Sequence, residues 1–284
     1  MTERSDDISP KVLAHRGFSL DGAENTLPAF KAARELGCTW IETDVHTTRD
    51  GVVVAFHDPT LERVTQGAGQ INDVTYEELT HLAVAGSSRI PTLREVLEEL
   101  PDVYVNIDVK DEASVRTLPR LLAETGAAGR VRIASFSESR RVQALAAMRE
   151  LGLEPMSSSA GALGTTVAVL VFRLLPAAWP VAWRLLRNRV PEFDTIQMPL
   201  YLKWTLPAVT RLPLVGGRLG QVVIPSRRAI RAAHRYGFEA HVWTVDHPEE
   251  MRMLLDREVD ALITDRADIA LAVVAGTWPE APGL

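Results

Sequence analysis

Glu42 and Asp44 stand two residues apart in Trp40-Ile-Glu-Thr-Asp-Val45, a run that alternates as a β-strand. Side chains on a strand point alternately to opposite faces, so the two carboxylates share one face. If that face is a protein interior, two like charges meet where solvent is scarce. This is costly unless a cation lies between them. Asp108, flanked by apolar residues in Val103–Val109, would add a third carboxylate. Three oxygen donors with no thiolate favour a hard ion, Mg²⁺ or Ca²⁺, over zinc. The competing reading turns Glu42 outward at a strand edge, with Ile41 and Val45 on the buried side.

His15 and His57 could be metal ligands, acid/base catalysts or hydrogen-bonded structural residues. Arg16 follows His15, and a guanidinium at a strand end suits bidentate phosphate contact. Lys110 can supply a second positive charge. Two imidazoles, two cations and a carboxylate group are a set of parts for phosphoryl transfer. The ion polarises the phosphate, one imidazole takes a proton and the other protonates the leaving alkoxide. The chain has no glycine-rich loop of the nucleotide-binding type, which argues against an NTPase.

These residues need elements to hold them at one place. Short apolar runs alternate with helical patterns along the chain, and eight strands are expected around residues 13, 43, 106, 132, 155, 197, 242 and 262. Repeated strand–helix units imply a parallel sheet with helices outside. Eight units predict a closed (β/α)₈ barrel, with a doubly wound open sheet as the alternative. His15, Arg16, Glu42, Asp44, His57, Asp108, Lys110 and Trp243 then fall at or near the carboxyl ends of strands, the rim where catalytic groups of a barrel converge. Helix starts are marked by caps at Thr26, with Pro28 after it, and at Ser226, and a further helix is expected over Thr92–Leu100. The stretch 58–90 is irregular, and 160–190 is apolar, basic and rich in Pro and Trp.

The 284 residues carry a net charge of −6 and are 46% hydrophobic, as in an ordinary globular protein. The single cysteine, Cys38, cannot form an intrachain disulfide, which points to a reducing, cytoplasmic setting. The first ten residues have no apolar run and do not read as a secretory signal. From Pro155 to Phe238 there are eleven Arg/Lys and two acids, so this stretch is +9 and the rest −15. Such asymmetry fits either an anionic partner or a solvated basic face.

The ordered set of motifs resembles the glycerophosphodiester phosphodiesterase family over about residues 11–270. It comprises His15-Arg16-Gly17, Glu24-Asn25-Thr26, Glu42-x-Asp44, Asp50-Gly51, His57-Asp58, Pro91-Thr92-Leu93, Asn106-x-Asp108-x-Lys110, Ser135-Phe136, Trp243-Thr-Val245 and Ile263-Thr-Asp265. The resemblance implies one TIM-barrel domain over 11–275, with a small insertion after the second strand at 58–90. Residues 1–10 and 276–284 would be tails. It implies that His15 and His57 are the acid/base pair and that Arg16 and Lys110 contact phosphate. Glu42, Asp44 and Asp108 would bind one divalent cation, and Trp243 would line the substrate pocket. Three departures stand out: Asp108 where Glu is frequent, Ala23 for Pro, and Asp246 for Asn near the rim, which could disfavour anionic head groups.

The activity implied is hydrolysis of glycerophosphodiesters to glycerol 3-phosphate and an alcohol. Alternatives are a lysophospholipase D, a cyclising lyase on the same parts, or a catalytically silent lipid-binding module. No nucleic-acid partner is expected. Residues 155–172 lack charge but contain three serines and two threonines, with Pro176 and Pro180 just beyond, which excludes a transmembrane helix. Trp179 and Trp183 share a helical face, followed by Arg184, Arg187 and Arg189. That composition fits peripheral contact with a lipid surface through 160–190. A loop packed over the barrel, with its tryptophans buried, fits equally well.

Overall fold

The computed structural model describes residues 9–203 and 221–279. Eight parallel strands carry the fold: β1 (Lys11–His15), β2 (Trp40–Thr47), β3 (Tyr104–Val109), β4 (Val131–Ala134), β5 (Ser157–Ser158), β6 (Thr195–Pro199), β7 (Glu239–Trp243) and β8 (Ala261–Thr264). The sheet runs β5-β4-β3-β2-β1-β8-β7-β6, so strands adjacent in sequence are adjacent in space. One parallel bridge, Ser159 to Thr195, joins the β5 and β6 ends of this path. The result is a nearly closed barrel, and the open-sheet alternative falls. Seven of the eight strands lie where the sequence pattern puts them. Only β5 is shifted, to Ser157–Ser158 from the expected 154–157.

β2 is buried along its whole length. Ile41 and Val45 belong to the main hydrophobic core, whereas Trp40 packs with Leu13, Ala261 and Ile263 in a separate cluster. Alternation therefore sends Glu42 and Asp44 to the side opposite Ile41 and Val45, and both line the barrel's cavity. The reading that turns Glu42 to solvent does not survive.

The helices follow from their caps. Thr26 accepts from the Ala29 amide to start α1 (Leu27–Glu35). Thr92 and Glu95 form a reciprocal capping box on α2 (Leu93–Glu99). α3 (Ser114–Thr125) and α4 (Glu138–Glu150) follow β3 and β4. Beyond β6, α7 (Arg227–Arg235), α8 (Pro248–Asp256) and α9 (Ala267–Val274) complete the outer layer, and α7 is capped by Ser226.

Two excursions interrupt the rhythm. Residues 58–90 hold a helical turn (Tyr76–Leu79) and a pair of two-residue strands. They pack around their own cluster, which includes Leu61, Ile71, Leu79 and Ile90. Residues 161–190 fold as two helices, α5 (Ala162–Leu174) and α6 (Trp179–Leu186). Trp179 is buried against Phe172, with ring centroids 4.7 Å apart, and Trp183 packs on Trp179 and Phe193. The tryptophans thus face the core and not a lipid interface. Phe172, Phe193, Tyr236 and Phe238 all pack around Trp179. Both ends of the excursion are pinned: Glu138 accepts from the Gly161 amide at 2.6 Å, and buried Arg141 donates to the carbonyls of Pro191 and Glu192. Among the described residues, no helix is long and apolar enough to cross a membrane.

Candidate active site

Parallel register places the acids side by side. Glu42 pairs with His15 on one side and Asn106 on the other, and Asp44 stands directly beside Asp108. The chain after β2 turns at Asp50-Gly51, and Val53–Ala55 runs back antiparallel to β2, which returns His57 to the rim. At the end of β1 the chain reverses sharply through Arg16 (φ 55°) and Gly17 (φ 88°). A Cβ at Gly17 would lie 2.8 Å from the Ala29 backbone, so only glycine lets α1 approach this closely.

All eight candidate side chains, His15, Arg16, Glu42, Asp44, His57, Asp108, Lys110 and Trp243, line one cavity of about 340 Å³ at the carboxyl ends of the strands. Asn106 and Gln197 line it too, joined by a 2.8 Å hydrogen bond. Part of the lining is uncharged: Phe136, Ala160, Ala162, Thr165, Thr166 and Pro199. Phe136 meets Trp243 edge to face at 5.7 Å, and the Lys110 ammonium lies 5.5 Å from the Phe136 ring centre.

The charges are tightly interlocked. Lys110 Nζ lies 2.8 Å from Asp44 and 2.7 Å from Asp108. Arg16 Nε is 3.2 Å from Asp44 but makes no well-directed hydrogen bond. Asn25 donates to Asp44 and accepts from Thr43. Burial would raise Asp44, yet Lys110 and Arg16 outweigh it and hold the carboxyl below its ordinary value. Glu42 is less well balanced, with His15 Nε2 3.9 Å away and the Arg16 amide donating to it at 3.2 Å, and burial together with the Asp44 charge pushes it up to about 7. Burial also raises Asp108.

Each histidine leans on a carboxylate. His15 Nδ1 is 2.7 Å from Asp265, and His57 Nδ1 is 2.5 Å from Asp58. Both rings are therefore fixed through Nδ1, which leaves Nε2 for other partners. Burial opposes the charged form of His15, but Asp265 and Glu42 outweigh it and raise its pKa. For His57, burial prevails over Asp44 and Asp58, and its pKa is lowered. Asp58 is held at about 2; burial opposes this, but Arg63 and His57 outweigh it.

Sequence reasoning assigned no role to Asp58, Asp265, Asn25 or Arg63. The carboxylate next to His57 was a usable signal. Arg63 was not legible: it reaches from the insertion to both Asp58 and Glu24, and Glu24 in turn pairs with Arg16. Asp246 was expected to bear on head-group choice. It does not line the cavity, because it accepts from Thr264 and from the Asp265 amide and so braces the end of β8.

Among the described residues, no three His, Cys, Asp or Glu side chains are gathered into an ion-binding cluster as they stand, since Lys110 lies between Asp44 and Asp108. The chemistry of the set nevertheless suits a hard cation. Asp108 Oδ1 is buried without a partner, Glu42 has no full counter-charge, and every donor is oxygen.

The sequence profile of the glycerophosphoryl diester phosphodiesterase family matches residues 15–151 and 192–269. This chain belongs to that family. A relative from Mycobacterium tuberculosis, named probable glycerophosphodiester phosphodiesterase 2, is 36% identical over 94% of this chain and 92% of its own length. A glycerophosphodiester phosphodiesterase from Caldanaerobacter subterraneus is 30% identical over 93% of this chain and 97% of its own. Among solved structures, a glycerophosphodiester phosphodiesterase from Agrobacterium tumefaciens shares the fold with a TM-score of 0.68. It is 24% identical, covering 93% of this chain and 99% of that one. An Oleispira antarctica phosphodiesterase in complex with its product sn-glycerol-3-phosphate has a TM-score of 0.67 at 21% identity, covering 94% and 97%. The family match breaks over 152–191, the stretch that contains α5 and α6.

Proposed function

We propose that this protein hydrolyses glycerophosphodiesters to glycerol 3-phosphate and an alcohol, with His15 and His57 as the acid/base pair and one divalent cation at the carboxylates. The observation that carries this reading is the convergence of two imidazoles, two cations and three carboxylates on one cavity. Membership of the family and the sn-glycerol-3-phosphate held by a phosphodiesterase of the same fold support it.

Glu42, Asp44 and Asp108 would hold the cation, Mg²⁺ or Ca²⁺. When bound, it supplies positive charge that polarises the phosphoryl oxygens. Arg16 and Lys110 bind and orient the phosphate, and neutralise charge that builds on it in the transition state. One imidazole Nε2 removes a proton from the attacking water as its oxygen forms the new P–O bond. The other gives a proton to the leaving alkoxide as the old P–O bond breaks. Asp58 and Asp265 orient the rings throughout. Phe136 and Trp243 stand where an alcohol can rest against uncharged surface.

That uncharged wall favours a second reading, lysophospholipase D activity, because it offers no charge to repel an acyl chain. Glycerophosphocholine, glycerophosphoethanolamine and lysophosphatidylcholine should each be assayed with Mg²⁺ and with Ca²⁺. Release of glycerol 3-phosphate from the first two supports hydrolysis of glycerophosphodiesters. Lysophosphatidic acid from the third supports the second reading. A cyclic phosphate as final product would replace both with a lyase. No turnover with any ion would sink the catalytic reading.

A further inference from the structure

We propose that the outer face of the α5–α6 cap docks on the surface of an anionic lipid bilayer. α5 is apolar nearly all round. Its inner face buries Gly164, Thr165, Ala168 and Phe172. Its outer face carries Leu163, Val167, Leu170 and Leu174 at helical spacing. Helices with apolar residues on every side are normally enclosed by protein or lipid. Here, among the described residues, the outer row is open: Leu174 is 68% exposed, and Leu163 and Leu170 are exposed as well. Leu175, Val181 and Leu185 continue the patch across the turn and along α6, with Leu185 77% exposed.

Charge selects the occupant. From residue 161 to 191 there are four arginines and no acid. Arg173 turns inward and donates to the carbonyls of Val223 and Ile224. Arg184, Arg187 and Arg189 are exposed, and among the described residues none of them is in an ion pair. A second copy of the chain meeting this face symmetrically would bring like charges together with no acid to offset them. An anionic bilayer offers phosphates to the guanidiniums and an apolar layer to the leucines, the pairing that interfacial helices use. The patch also lies outside the segments matched by the family profile. The first turn of α5 supplies Ala162, Thr165 and Thr166 to the cavity wall, so a docked cap would hold the cavity mouth near the lipid surface.

Co-sedimentation with vesicles of phosphatidylglycerol and phosphatidylcholine tests this without reference to catalysis, so it stands or falls independently of the proposed reaction. Binding is expected to mixed vesicles, to be weaker to pure phosphatidylcholine, and to decline with salt. The triple change Arg184→Gln, Arg187→Gln and Arg189→Gln should weaken binding roughly tenfold or more. The triple change Leu170→Gln, Leu174→Gln and Leu185→Gln should weaken it comparably. Both variants should keep the wild-type unfolding midpoint and the wild-type turnover of soluble glycerophosphoethanolamine. No binding of the wild-type protein to mixed vesicles overturns the proposal, as does unchanged binding by both variants. A dimer that the leucine variant converts to monomer also overturns it, because the face would then be occupied by a second copy.

Discussion

Asp265 and Asp58 set how His15 and His57 present themselves, because each carboxylate binds one ring nitrogen and leaves the other. If the two imidazoles divide the proton transfers, His15→Ala and His57→Ala should each lower kcat by about 10²-fold or more. A substrate whose leaving group needs no proton should rescue only the variant that lacks the acid. Equal rescue of both would contradict a division of labour. Glu42 offers a different test. It is buried beside Asp44 without a full counter-charge, so Glu42→Gln should abolish turnover while leaving the metal-free protein at least as stable as wild type. Mg²⁺ or Ca²⁺ should raise the unfolding midpoint of the wild type and not of the variant. Full activity of metal-stripped protein in excess chelator would remove the cation from the scheme.

At the scale of elements, two features act beside the Glu138–Gly161 hydrogen bond to hold the cap. One is Arg141, wholly buried, which ties α4 to the carbonyls of Pro191 and Glu192. The other is the aromatic cluster in which Trp179 packs on both Phe172 and Trp183. Trp179→Ala should therefore destabilise the protein by about 3–5 kcal/mol, the usual cost of emptying a large aromatic site. It should lower turnover of soluble and lipid substrates alike, since the cap supplies one wall of the cavity. Equilibrium unfolding in urea, read beside both assays, checks this. Normal stability with selective loss of lipid turnover would mean that the tryptophans act at a lipid surface after all.

Across the whole molecule, the end of the barrel opposite the cavity is closed by charges. Arg132 donates to Glu239 and His241 and lies over the Trp40 ring, and Lys11 pairs with Glu239. Burial and the neighbouring Arg132 push His241 down to about 3, although Glu239 pulls the other way. Its unfolded value is about 6.5, so between these limits the unfolded chain takes up a proton that the native protein refuses. The stability tied to neutral His241 is thus complete above pH 6.5 and declines as pH falls toward 3, by at most about 1.4 kcal/mol per pH unit. His241→Gln should flatten the dependence of unfolding free energy on pH between 7 and 5. An unchanged slope would show that His241 is not its source.

The sequence by itself determined the period and the boundaries. Thr26, Thr92 and Ser226 cap helices because an oxygen near the first free amides is a local arrangement, complete within four residues. Glu42 and Asp44 share a face because a strand alternates, whatever surrounds it. Tertiary structure decided which face that was, by closing the sheet and turning both acids inward. It brought Asp265 to His15 across 250 residues and drew Arg63 from the insertion to Asp58 and Glu24. It also buried the tryptophans and left the leucines of α5 exposed. A hydrophobic pattern states that a face is apolar. What covers that face depends on which elements arrive beside it, and here Phe193, Tyr236 and Phe238 reached the inner side of the cap, while among the described residues nothing covers its outer leucine row.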